Sequence, residues 1–376
     1  MKIAIFGGAF NPVHREHVNI AKAAVNELAL DKIIIMPSAI SPHKQGRPTV
    51  DFWHRFEMCR LAFSDLPQAE VSNYELARGG VSYTCLTTSY LRSVYPKDEL
   101  YLIIGADMLE NFPSWKNPQE ILRNVTLAAC ARENTENFSA YKDMVESTFS
   151  TRVVSISYVG DAVSSTRVRT LAALGEDFGK YVDGRVCQYI KQNGLYALPH
   201  LWKAKQLMGE KRWKHTVGVA VICAKNAPRV HICEEQAITM AALHDVAKNL
   251  SEDSEYLKGF TRPKGVPPAV VHQYSGAYVA EKVFKITDKT VLDAIACHTS
   301  GKRNMSGADK LLYLADVLEE SRTFEGVDEL RELFKRDLDG CLKEQLRRQV
   351  EYLESTGAQV YPLTRKAYEY IKEKNL

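Results

Sequence analysis

Short β-branched runs alternate with stretches of helical spacing along the first half of the chain. The runs are KIAIF from Lys2, KIIIMP from Lys32, ELYLIIG from Glu99, NVTLAACAR from Asn124 and RVVSISYV from Arg152. Such alternation predicts a parallel sheet wrapped by helices. Ile3–Phe6 would be its first strand and Arg15–Leu28 its first helix. The pattern changes at VCQYIKQNGLYALPHLW, residues 186–202. A helix should end at Asn193-Gly194, a tail containing Pro199 follows, and a new helix is expected from about Leu201. Beyond it the spacing is helical and no strand is predicted. The expectation is an α/β Rossmann-like domain over 1–197 and an all-α domain over 201–376.

Length and composition agree with that division. A chain of 376 residues suggests two or three domains, and 45% apolar with 25% charged residues is ordinary for a globular protein. A net charge of +3 is too small to argue for nucleic acid or an anionic membrane, so neither partner is expected. MKIAIFGGAF reaches glycine too early for a secretory signal, and no apolar run has membrane-spanning length. The eight cysteines are scattered with no Cys-x-x-Cys pair, which reads as reduced thiols in a cytoplasmic protein. Nothing here sets the oligomeric state, and a homo-oligomer stays open.

The first candidate chemistry lies in IFGGAFNPVHREHV, residues 5–18. Gly7 and Gly8 follow the first strand, where open α/β sheets bind nucleotides and glycine admits close backbone approach. The next helix aims free N–H groups and a positive dipole end at any phosphate there. His14 and His17, at i and i+3, can both face it.

GGAFNPVHREH resembles the first signature of the HIGH-type nucleotidyltransferases, and VSSTRVR, residues 163–169, resembles their second. The middle segments MPSAISPHK, ELARGGVSYTCLTTSYL and LIIGADMLENFPSWKNPQEIL are similar to nicotinate-mononucleotide adenylyltransferases; the pantetheine-phosphate enzymes share only the two signatures. The resemblance covers residues 1–196. It implies an ATP site of Gly7, Gly8, Phe10, His14, His17, Gly105, Asp107, Ser164, Ser165, Thr166 and Arg169. Asp107 would meet ribose hydroxyls. Nicotinate mononucleotide would meet Ser82, Tyr83, Thr84 and a stacking Trp115, with Lys44 and Arg132 near phosphate. His14, His17 and Arg169 would act in catalysis, with Mg²⁺ arriving on ATP. Glu16 replaces the family glycine between the histidines. If its carboxylate faces the triphosphate, Glu16→Gly would improve ATP binding.

The second candidate chemistry begins with His244 and Asp245 in MAALHDVAKNL, late in an apolar helical stretch. His215, His272, His298 and Asp316 occupy other apolar or small-residue helical stretches, where an unpaired polar group would be costly. Four histidines and two aspartates make a plausible ligand set for two metals. His200 borders the linker and His231 a proline-containing loop, so both are excluded. The order H…HD…H…H…D resembles the HD-domain phosphohydrolases. HTVGVA, SGAYVAEK, HTSGKRNMS and LYLADVLEESR narrow that to the YqeK-like group over 201–376. The resemblance implies two divalent ions, iron or manganese, and symmetrical cleavage of diadenosine tetraphosphate into two ADP. Asp245 would sit between the ions, while Lys248 and Arg322 would bind the remaining phosphates. Tyr274 stands where a small or apolar residue is expected. A domain that senses nucleotides, or hydrolyses another nucleotide such as a nucleoside monophosphate, remains the alternative.

Overall fold

A computed structural model describes residues 1–40, 49–132, 137–161 and 163–374, with only the backbone of 131 and 132. The chain divides into two compact units. One comprises residues 1–168 with 177–196, the other 169–176 with 197–376.

In the first unit, β1 (Lys2–Gly8), β2 (Lys32–Pro37), β3 (Ala69–Val71), β4 (Glu99–Gly105), β5 (Thr126–Arg132) and β6 (Val153–Gly160) form one parallel sheet. Its order is β3-β2-β1-β4-β5-β6. The helices are α1 (Arg15–Glu27), α2 (Phe52–Ala62), α3 (Tyr74–Arg78), α4 (Thr84–Val94), α5 (Ala106–Asn111), α6 (Pro118–Asn124), α7 (Phe138–Phe149) and α9 (Gly184–Gln192). A further helix, α8 (Ser165–Ala173), opens in this unit and ends in the other. Ile5 pairs with Ile34 on one side and Leu102 on the other. Ile3, Ile5, Leu102 and Leu127 are buried on one face, and Ala4, Ile33, Ile103 and Ala128 alternate with them and are buried too. Burial on both faces is why these strands read as continuous apolar runs.

Two details depart from the sequence reading. Strand β3, whose three residues include the exposed Glu70, is too short to leave a period-two signal. Strand β1 continues through both glycines, with Gly7 opposite Met36 and Gly8 opposite Pro37. The strand order reverses between β1 and β4, which places the nucleotide crevice of such sheets at their carboxyl ends.

The second unit holds α10 (Ala204–Leu207), α11 (Glu210–Asn226), α12 (Glu234–Leu243), α13 (Val271–Lys282), α14 (Lys289–Ile295), α15 (Gly307–Leu318), α16 (Val327–Arg336), α17 (Leu338–Ser355) and α18 (Pro362–Glu373). The helix expected from Leu201 starts instead as a 3-10 turn at Pro199–Leu201 and the short α10. Extended backbone at Met208 and Gly209 interrupts it before α11 begins. The core joins Val219 and Cys223 of α11, Met240 and Leu243 of α12, and Leu311 and Tyr313 of α15. Ala173 and Leu174 pack into it with Leu201, Ala204 and Trp213, which draws residues 169–176 into this unit. Among the described residues no helix is long and apolar enough to cross a membrane.

Candidate functional site

The carboxyl edge of the parallel sheet gathers most of the first predicted site. His14 is the extended N-cap of α1, and its backbone N–H donates to Nδ1 of His17 at 3.1 Å. That bond leaves Nε2 as the protonated nitrogen of a neutral His17 ring. The two imidazoles lie 3.7 Å apart between centroids. Phe10, at φ +45°, is buried and packs edge-on against His17 at 5.0 Å. A Cβ at Gly8 would stand 3.1 Å from that phenyl ring, whereas one at Gly7 would meet nothing within 4 Å. Gly8 thus makes room for Phe10, and Gly7 leaves its side of the strand open.

At the end of the neighbouring β4, Gly105 caps α5 and Asp107 stands exposed in its first turn. After β6, Ser164 Oγ accepts from the Arg167 N–H at 3.2 Å, and Ser165 Oγ donates to the Pro12 carbonyl at 2.8 Å. The second bond ties the two signature segments together. Thr166 lies in the first turn of α8. Arg169 belongs to the second unit, where its guanidinium forms a two-pronged ion pair with Glu234 at 2.7 and 2.5 Å.

For the acceptor residues, Ser82 is buried and its Oγ accepts from the Ala39 and Ile40 N–H groups at 2.9 and 3.4 Å. Tyr83 caps α4 beneath the Lys116 ammonium, 4.1 Å from the ring centroid, and Thr84 is the first helical residue. Trp115 is half-buried against Phe112, with centroids 5.3 Å apart. Lys44 and the Arg132 side chain lie outside the described residues. The carboxylate of Glu16 does not meet the condition set for Glu16→Gly, because the end of β6 engages it: Tyr158 Oη donates at 2.8 Å and the Asp161 N–H at 2.9 Å.

In the second unit all six predicted ligands converge. His244 caps α12 and Asp245 follows in a turn, so the pair lies past the helix end rather than within it. His215 comes from α11, His272 from α13, Asp316 from α15, and His298 from the turn after α14. His215, His244 and Asp316 present ligand atoms within 4.8 Å of one another, as do His244, Asp245 and His298. His272 Nε2 lies 3.3 Å from Asp245 Oδ1 and 3.2 Å from His298 Nε2.

The protonation pattern of His244, His272 and His298 suits a metal. His244 and His298 each donate Nδ1–H to a backbone carbonyl, of Ala241 at 2.7 Å and Ile295 at 2.8 Å. Each Nε2 lone pair therefore points into the cluster; a metal-ligating histidine is commonly oriented by such a bond from its other nitrogen. His244 Nε2 and Asp245 Oδ1 are buried and make no hydrogen bond among the described residues. Two imidazole nitrogens 3.2 Å apart suit two donors on one ion at about 2.1 Å each. Burial pushes His244 down to about 4, and burial with His298 nearby pushes His272 down to about 3, so both are neutral near pH 7. Burial alone would raise Asp245 and Asp316. The bond between His215 and Asp316, and the Lys248 ammonium beside Asp245, hold them well below the usual carboxylate range.

Cations ring these carboxylates. Lys248 Nζ reaches Asp245 Oδ2 at 3.2 Å, and Arg322 reaches Asp316 Oδ1 at 2.8 Å. Arg212, which the sequence reading passed over, also pairs with Asp245. So was Glu319, whose Oε2 lies 3.1 Å from His215 Nδ1 while Asp316 takes Nε2 at 2.9 Å. Their signal is spacing: Arg212 precedes His215 by three residues, and Glu319 follows Asp316 by three. Tyr274 pairs with the Tyr361 hydroxyl at 3.1 Å, and His200 and His231 are exposed.

Comparison with known proteins divides along the same lines. Residues 5–171 match the family described as cytidylyltransferase-like, and residues 212–321 match the HD domain. A protein of Mycoplasma pneumoniae named "Probable nicotinate-nucleotide adenylyltransferase/Ap4A hydrolase" is 30% identical over 350 residues, 89% of this chain and 95% of that one. The nicotinate-nucleotide adenylyltransferase of Bacillus subtilis is 34% identical over 195 residues, 52% of this chain and 98% of its own. A solved structure from Clostridium acetobutylicum, described as a predicted HD superfamily hydrolase involved in NAD metabolism, is 29% identical. It covers 46% of this chain and 96% of its own at a TM-score of 0.42.

Proposed function

This chain belongs to the family of two-domain proteins named nicotinate-nucleotide adenylyltransferase/Ap4A hydrolase, and from that membership we propose two activities for it. The first unit transfers the adenylyl group of ATP to nicotinate mononucleotide, giving nicotinate adenine dinucleotide and pyrophosphate. The second hydrolyses diadenosine tetraphosphate to two ADP. One observation carries the reading: a single chain brings together two nucleotidyltransferase-like segments at one sheet edge and a largely buried cluster of four histidines and two carboxylates.

In the transferase, a 5′-phosphate oxygen of the mononucleotide attacks the α-phosphorus of ATP as the bond to the leaving pyrophosphate breaks. Catalysis is then positioning plus neutralisation of charge on phosphate oxygens. His14 and His17, seated at the amino end of α1, supply donors, Arg169 would have to exchange its Glu234 partner for a phosphate oxygen, and Mg²⁺ comes with ATP. Ser82, Tyr83 and Thr84 take the nicotinate carboxylate, and Trp115 stacks on the pyridine ring. Lys44 and Arg132 serve its phosphate.

In the hydrolase, His215, His244, Asp245, His272, His298 and Asp316 would hold two divalent ions, iron or manganese, with Asp245 shared between them. Such a pair supplies a hydroxide at neutral pH and positive charge for the attacked phosphate. Lys248 and Arg322 would exchange their aspartate contacts for the outer phosphates of the substrate. The setting is the cytoplasm, where ATP and reduced thiols coexist.

Paired variants test this assignment. His17→Ala should abolish dinucleotide synthesis and leave hydrolysis of diadenosine tetraphosphate intact. Asp245→Ala should do the reverse, and elemental analysis should find about two transition-metal ions per chain in the parent and almost none in the variant. Full hydrolysis by the Asp245 variant, or one ion in the parent, would return the sensing-module alternative.

A further inference from the structure

Glu16 lies between His14 and His17 in sequence, yet its carboxylate is committed to the far end of the sheet. It is 5% exposed. Oε2 accepts from the Tyr158 hydroxyl at 2.8 Å and the Asp161 N–H at 2.9 Å, and Oε1 accepts from Asn19 Nδ2 at 3.1 Å. Asn19 also donates to the Tyr158 oxygen at 3.1 Å, which closes the group. No cation pairs with this buried carboxylate among the described residues. Three donors, and a place in the first turn of α1 where the dipole favours negative charge, offset its desolvation.

The last residue of β6 is fitted to the same carboxylate. A Cβ at Gly160 would stand 2.6 Å from Glu16 Oε2, so alanine there would displace the carboxylate from this seat. Five residues later Ser165 donates to the Pro12 carbonyl at 2.8 Å. Asp161 is thus fastened to Glu16, and Ser165, at the start of α8, to the segment leading into α1.

We propose that Glu16 is a positioning residue for nucleotide binding. Through Tyr158 and Asp161 it holds the end of β6 against the start of α1, and so sets where the second phosphate-binding signature begins. The proposal rests on the transferase reading above. It reverses the expected sign of a change at this position: removing the carboxylate loosens the ATP site instead of relieving repulsion.

The test compares Glu16→Ala, Glu16→Gln, Gly160→Ala and the double variant Glu16→Ala/Gly160→Ala in the full chain. ATP affinity is measured by calorimetry without acceptor, and the KM for nicotinate mononucleotide by steady-state assay. Glu16→Ala should weaken ATP binding about tenfold, the effect of losing charge-assisted hydrogen bonds, while the acceptor KM stays within about twofold. Glu16→Gln should lie close to the parent, because the amide oxygen still accepts from Asp161. Gly160→Ala should weaken ATP binding too, and the double variant should be no worse than Glu16→Ala, since the collision partner is gone. Tighter or unchanged ATP binding by Glu16→Ala, or equal losses in both substrates together with lowered Tm, would overturn the tie. A parent that binds ATP but makes no dinucleotide would overturn the transferase reading and leave the affinity comparison standing.

Discussion

Trp115 shows what a single residue contributes and how its effect is read. Its indole rests against Phe112 and remains partly open to solvent after a short 3-10 turn. In the proposed role of stacking on the pyridine ring it would act on one substrate only. Trp115→Ala should therefore weaken nicotinate mononucleotide binding by about 1 kcal/mol and spare ATP. Separate titrations of the two substrates check this, and a loss confined to ATP would move Trp115 to the adenine side. Loop-like neighbours made its partial exposure legible in the sequence. The direction of Glu16 was not legible, because its partners Tyr158 and Asp161 lie 142 and 145 positions along the chain. Arg212 and Glu319 were missed for a related reason: a charged residue one turn from a candidate ligand, His215 for one and Asp316 for the other, is usually solvated, and only the folded cluster turns it inward.

Helix α13 carries His272, and its distance from the end of α12 decides whether that imidazole reaches Asp245. Gly276 sets the distance. A Cβ there would stand 3.0 Å from the His244 carbonyl oxygen, a backbone atom that cannot swing aside. Gly276→Ala should push α13 outward, lowering bound metal and phosphohydrolase activity although every ligand is retained. Elemental analysis with parallel assays of both activities checks it; unchanged metal content would mean the helices yield without moving His272. At this scale periodicity served well for long elements and poorly for short ones. Strand β3 has three residues, and the break at Met208 and Gly209 falls inside a helical pattern that spacing alone does not interrupt.

Each unit has its own apolar core, one around Ile5, Leu102 and Leu127, the other around Val219, Leu243 and Leu311. The metals proposed for the two units also differ. Chelation should remove both activities, and Mg²⁺ alone should then restore dinucleotide synthesis, while hydrolysis should return only with iron or manganese. Hydrolysis regained with Mg²⁺ alone would contradict the nitrogen-rich donor set, since imidazole favours transition metals over Mg²⁺. The alternation of the longer strands with helices, the change from α/β to all-α and the candidate residues of both sites were readable along the chain. Periodicity and short motifs are local properties, set by neighbours within a few residues. The tertiary structure decided what each side chain faces. It brought His215 and Asp316, 101 positions apart, to 2.9 Å, turned the Nε2 atoms of His244 and His298 inward by backbone bonds, and gave the Glu16 carboxylate to β6. Those outcomes rest on which buried polar groups find partners across the core, and that depends on packing between segments far apart in the chain.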